Sequence, residues 1–132
     1  MNQIVARYRD GQIVKAVTND FLPTKDHFHV APSGAAPGAK PLEVRVADLK
    51  ALFFVKDFVG QPDYVEGEWF DPAKTAAGRK IRVVFKDGEV IVGTTQGYQP
   101  GRPGFFIQPA DAKSNNERCF VITAATREVS FL

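Results

Sequence analysis

The sequence predicts an all-β protein made of two copies of one unit, each of five short strands. Three observations predict it. Apolar and polar residues alternate with period two in many short runs, Asp-Gly punctuates two of these runs, and the second half matches the first at a constant offset of 77 residues without a gap. The matched positions include Asp10-Gly11 with Asp87-Gly88, Thr18 with Thr95, Phe21 with Tyr98, Pro23 with Pro100, Phe28 with Phe105 and Pro32 with Pro109. Farther along, Val44 falls on Val121, Ala47 on Ala124, Leu52 on Val129 and Phe54 on Phe131.

The elements follow in order. Residues 3 to 9 set Ile4, Ala6 and Tyr8 against Val5, Arg7 and Arg9, the alternation of a strand with one buried face. Asp10-Gly11 predicts a two-residue type I′ turn, whose register places Tyr8 opposite Ile13 and Ala6 opposite Lys15. A polar connection from Thr18 to Asp26 leads to a strand with Phe28 and Val30 on one side. The Ala-, Gly- and Pro-rich stretch Ala31 to Pro41 sustains neither periodicity and reads as an exposed loop. Leu42, Val44 and Val46 alternate again, Ala47 to Lys50 reads as one tight helical turn, and Ala51 to Phe54 closes the unit as a strand. In the second copy, Lys86 and Glu89 flank the turn and are expected to pair across the hairpin.

These patterns divide the chain into a first repeat, 1–56, a connecting segment, 57–78, and a second repeat, 79–132. The connecting segment is acidic and aromatic, with Phe58, Tyr64, Trp69 and Phe70. That much aromatic surface is expected to pack on a repeat or to meet a partner.

Each copy resembles the Sm-like small β-barrel of Sm, LSm and Hfq proteins, over residues 3–55 and 79–132. The residues that carry the resemblance are Val83-Val84-Phe85-Lys86-Asp87-Gly88-Glu89, then Val92-Gly93-Thr94, and finally Phe120-Val121-Ile122 and Val129-Ser130-Phe131-Leu132. The resemblance implies an SH3-like five-stranded barrel in each copy, packed as one pseudo-symmetric unit, and barrels that associate through edge strands. The family's uridine-binding loops are not matched: the corresponding connections are Tyr98 to Gly104 and Thr123 to Thr126, with Ala47 to Lys50 in the first copy. The family's N-terminal helix has no counterpart either. As a whole the chain also resembles a group of bacterial proteins of unknown function. A PilZ-type c-di-GMP barrel does not fit, because its paired arginines and Asp/Asn-x-Ser-x-x-Gly stretch are missing.

Seventeen basic against fifteen acidic side chains leave a formal charge of +2, well short of the basic excess of a protein devoted to the phosphate backbone. The single cysteine, Cys119, sits beside Phe120 and Val121 and reads as a buried strand position. His27 and His29, two apart on a strand, supply two imidazoles to one side, but two ligands do not make a metal site and no metal is expected. No nucleophile has a neighbouring base, no carboxylates pair on an apolar background, and no Gly-rich loop opens a helix. The expectation is a non-enzyme without cofactor. No apolar run reaches the length of a membrane span and the start lacks a signal peptide's pattern, so a cytoplasmic protein without membrane insertion is expected.

The function expected first is a protein-binding adaptor or accessory subunit. It would meet a protein partner, or a second copy, through strand edges, loops and the connecting segment, with Tyr64, Trp69 and Phe70 among the contact residues. The alternative is RNA, single-stranded nucleic acid or nucleotide binding through the loops after the second strand of each copy. There Phe21 with Lys25, and Tyr98 with Arg102, set an aromatic ring beside a cation that could stack a base and neutralise a phosphate.

Overall fold

In the computed structural model the described residues, 2–60, 67, 70, 78–111 and 113–132, are all-β. The first half contains β1 (Asn2–Tyr8), β2 (Ile13–Thr18), β3 (His27–Pro32), β4 (Leu42–Arg45) and β5 (Leu49–Val55), with a single 3-10 turn, Val46–Asp48, before β5. The second contains β6 (Arg79–Phe85), β7 (Val90–Thr95), β8 (Gly104–Pro109), β9 (Asn116–Ile122) and β10 (Thr126–Phe131), with the 3-10 turn Thr123–Ala125 before β10. All ten strands join one open antiparallel sheet in the order β10-β6-β7-β8-β9-β5-β1-β2-β3-β4.

The two halves repeat one another in detail. Strands β1, β2 and β3 recur as β6, β7 and β8 at the offset of 77 residues read from the sequence. Side-chain bonds recur as well: Thr18 Oγ1 donates to the His29 carbonyl at 2.8 Å and Thr95 Oγ1 to the Phe106 carbonyl at 2.8 Å. Within each half the pairing order is the same, β4-β3-β2-β1-β5 and β9-β8-β7-β6-β10. What joins the halves is the pairing of β5 with β9.

Alternation explains most of the burial. Ile4 and Ala6 of β1, Phe28 and Val30 of β3, and Ile81, Val83 and Phe85 of β6 point into the core. Strand β5 departs from alternation: all seven of its residues are buried, and it pairs on both edges, with β1 and with β9. Cys119 is buried in β9, as its neighbours predict.

Two expectations are corrected. The Asp-Gly loops are three residues long, with Tyr8 N donating to Gln12 O at 2.9 Å and Phe85 N to Glu89 O at 2.8 Å. Ala6 therefore pairs with Val14 and Arg7 with Ile13, one place from the type I′ register. The reason lies in φ. A type I′ turn needs positive φ at both central residues, whereas here only Gly11 (φ 97°) and Gly88 (φ 92°) adopt it. The aspartates keep negative φ and instead accept a backbone N–H two residues on, Gln12 N to Asp10 Oδ1 at 2.9 Å and Glu89 N to Asp87 Oδ1 at 3.0 Å. The second correction is the Lys86–Glu89 pair. Glu89 turns away from the hairpin to Lys50 and Arg7 of the first half.

Among the described residues, no helix is long and apolar enough to cross a membrane.

Candidate functional site: a strand seam and two open edges

Interaction chemistry concentrates where β5 meets β9. Ala51 pairs with Val121, Leu52 with Phe120, Phe53 with Cys119 and Phe54 with Arg118. Over this ladder lies Phe21, from the loop after β2. Its ring meets Phe28 at 5.1 Å and Phe54 at 5.9 Å in its own half, and Phe120 at 5.1 Å and Phe106 at 6.2 Å in the other, all edge to face. Edge-to-face geometry places positive ring edges on negative faces, which adds directional attraction to the burial of area. Arg118 closes the cluster from the solvent side, its guanidinium 4.2 Å from the Phe54 ring centre and 4.8 Å from that of Phe106.

A charged latch sits at the other end of the seam. Lys50 lies in the otherwise apolar β5, and its side chain is only 10% exposed. Its Nζ reaches Asp87 Oδ2 at 2.7 Å, bonds Glu89 Oε1, and stands 4.7 Å from the Phe85 ring centre. Arg7 adds a second cation, 3.4 Å from Glu89 Oε1 and 5.2 Å from the Phe53 ring centre. A nearly buried ammonium needs such partners, since leaving it alone costs several kcal/mol. The hydrogen bond from Lys50, followed by that from the Glu89 N–H, holds the Asp87 carboxyl below its ordinary value of 3.8.

The sign of the pH effect follows from this depression. The ionised form of Asp87 is favoured in the folded chain, so its contribution is complete above the ordinary value and is lost as pH falls from there through the folded value. Replacing Asp87 by Asn should therefore lower the melting temperature at neutral pH. The difference from the parent chain should shrink on acidification below about pH 4. An offset that stays constant across an acid series of thermal melts would remove Asp87 from the latch.

At its two outer sides the sheet ends. Among the described residues β4 pairs only with β3, and β10 only with β6. Large apolar side chains stand at both ends: Leu42 on β4 is 43% exposed, Phe131 on β10 is 40% exposed and Leu132 beyond it 65%. Arg79 lies 3.7 Å from the Phe131 ring centre, and Tyr98 packs edge-on against Phe105 at 4.7 Å and Phe131 at 5.5 Å. On the β4 side His29 bonds Asp20 through Nδ1 at 3.0 Å and faces Glu43 at 4.0 Å. The His29 backbone N–H and imidazole hold Asp20 below the ordinary carboxylate range.

The residues picked out by sequence fall into three groups. Phe21 and Tyr98 are partly buried covers, one over the seam and one over the β10 end. Lys25 and Arg102 stay exposed in their loops, Arg102 Nε donating to Gln99 Oε1 at 2.9 Å. Phe70 lies with its ring centre 4.9 Å from Lys80 Nζ, whereas Tyr64 and Trp69 fall outside the described residues. The connecting segment is tied to the second half at its start, where Asn115 Nδ2 donates to Asp57 O at 3.0 Å, and at its middle, where Gly67 N donates to Asp111 Oδ2 at 2.8 Å.

Sequence reasoning missed the roles of Lys50, Asp87, Glu89 and Arg118 at the seam. For Lys50 a signal existed, a lone cation inside the apolar run Leu49 to Val55. His27 and His29 stand 6.0 Å apart, and among the described residues no three His, Cys, Asp or Glu side chains gather as metal ligands.

The chain matches the Family of unknown function (DUF6982) over residues 1–132. No curated protein and no solved structure matches it.

Proposed function

The chain belongs to that family along its whole length, and from the geometry of its edges we propose a non-catalytic protein-binding adaptor or accessory subunit, built of two tandem Sm-like barrels produced by duplication. One observation carries the reading: β9 adds to the edge of β5 within one continuous ten-strand sheet, while among the described residues the corresponding edges at β10 and β4 take no further strand. An open edge offers unpaired N–H and C=O groups, so a partner's extended segment can join by main-chain hydrogen bonds, with side-chain contacts giving selectivity. Leu42 at one edge and Phe131 at the other provide the apolar anchors.

The nucleic-acid alternative stands second. Both rings it needs, Phe21 and Tyr98, are engaged edge-on by neighbouring aromatics, and its cations are single lysine and arginine side chains on separate loops.

Photo-crosslinking in cells tests the adaptor reading. With benzoylphenylalanine at Leu42 or Phe131, adducts to a polypeptide are expected, and none with it at Gln99. Absence of adducts from both edges overturns the reading. A single-stranded RNA shift lost in Lys25→Ala with Arg102→Ala would put the alternative first.

A further inference from the structure

We propose that β7, β8 and β9 carry a binding site for a small polar carboxylate, one that bears hydroxyl or amide groups besides its charge. The site lies within the sheet and not at its open edges, so it stands apart from the edge-binding reading above. A cavity of about 730 Å³ opens there, a volume within the range of small-ligand sites. Phe106 and Ile107 give it apolar surface, while Thr94, Gln108 and Arg118 supply polar groups. Register aligns these groups. Thr94 pairs with Gln108, and the β8–β9 ladder, continued one residue past Ile107 with Cys119, sets Gln108 opposite Arg118. Opposed residues share a face and adjacent strands lie about 4.8 Å apart, so a hydroxyl, an amide and a guanidinium form a row about 10 Å long.

Two side chains in the row await a partner. Arg118 is held by the Phe54 and Phe106 rings, and among the described residues its guanidinium makes neither an ion pair nor a hydrogen bond. A positioned fork with free donors matches a carboxylate in geometry and in charge. Thr94 points to a ligand independently. It is 9% exposed, and among the described residues its hydroxyl has no hydrogen-bond partner, whereas the neighbouring Thr95 donates to the Phe106 carbonyl. A nearly buried hydroxyl left unbonded is costly, since it gives up water and gains nothing in exchange.

The first half shows that the fold does not need this row. At the offset of 77 residues Thr94, Gln108 and Arg118 become Val17, Ala31 and Pro41, and Val17 pairs with Ala31 as Thr94 does with Gln108. The same strands therefore form with none of the three polar groups, and a valine of threonine's shape leaves no hydroxyl to satisfy. Charge narrows the class of ligand. Lys56 and Arg118 line the cavity together with Asp111 and Glu117, two cations against two carboxylates. Asp111 already accepts the Gly67 and Lys113 N–H groups, at 2.8 and 2.9 Å. So balanced a lining favours one carboxylate over a polyanion, and the Gln96 and Gln108 amides offer donors and acceptors to neutral groups beside it.

Amide-resolved NMR of the purified full chain tests this, with gluconate and N-acetylglutamine as probes and glucose and acetate as controls. Either probe at millimolar concentration should move the signals of Thr94, Gln108 and Arg118, and the controls should move them less. Arg118→Lys keeps the charge and loses the fork, so binding should weaken at least about tenfold. Thr94→Val should weaken binding too, yet without lowering the melting temperature, because no hydrogen bond is lost with the hydroxyl. Circular dichroism checks that both variants fold. No movement at the row with either probe overturns the proposal, and so does binding indifferent to Arg118→Lys. A lower melting temperature in Thr94→Val would put the hydroxyl in a structural bond and remove the site. Signals that move only with an acidic peptide would assign the cavity to a protein partner and sink the small-molecule reading.

Discussion

Phe120→Ala is expected to lower stability by about 3–5 kcal/mol, which for a chain of this size is a drop of about 10–25 °C in melting temperature. Phe120 is fully buried in β9, pairs with Leu52 of β5, and sets its ring 5.0 Å from Phe106 and 5.1 Å from Phe21. It also fills the space beside Gly104, where an added Cβ would meet Phe120 Cε2 at 2.5 Å. Truncation removes transfer energy and aromatic contacts together and leaves a cavity at the junction of the halves. Its counterpart in the first half is Glu43, exposed on β4, where Ala should change stability by no more than about 0.5 kcal/mol. Scanning calorimetry of both variants decides the matter, and similar small shifts would mean that the seam does not hold the halves together.

Gly93→Ala should destabilise, against the expectation from propensity. In a strand interior Ala is ordinarily favoured over Gly by about 0.5–1 kcal/mol, and the counterpart of Gly93 is a fully buried alanine, Ala16. Strand β8 leaves no such room at Gly93. A Cβ there would stand 2.1 Å from Gln108 O and 2.5 Å from Ile107 Cγ2, so β7 and β8 would have to separate along their short pairing, Gly93 with Pro109 and Thr94 with Gln108. The cost should be about 1–3 kcal/mol, seen as a lower urea midpoint with an unchanged m-value. A stabilised variant would refute the close approach.

How far the sequence reveals this molecule depends on the range of the interaction. The strands were legible because alternation is local, and the offset of 77 residues was legible because matched turns and apolar positions need no knowledge of contacts. Hairpin register was one place off, because it turns on whether Asp10 and Asp87 accept positive φ, and their side chains supply a cheaper arrangement. The seam was beyond reach. Nothing in Leu49 to Val55 says that its outer edge takes Asn116 to Ile122 rather than another strand, and Glu89 offered Lys86 a nearby pairing that Lys50 and Arg7 displaced from the other half. In the connecting segment the Phe70 ring stands 4.9 Å from Lys80 Nζ and Phe58 packs, partly buried, against the core.

The burial of every residue in β5 has a consequence for how the chain comes into being. Synthesis completes β5 long before β9, since the connecting segment and three strands lie between them. Throughout that interval the nascent first half presents Leu52, Phe53 and Phe54 along an edge that has no occupant yet. Such an edge is apolar, extended and adhesive, and another nascent chain could seize it. The first half therefore depends on the second to cover this edge. Its safest edge in the finished molecule is its most hazardous one during synthesis, and the hazard ends only when β9 arrives.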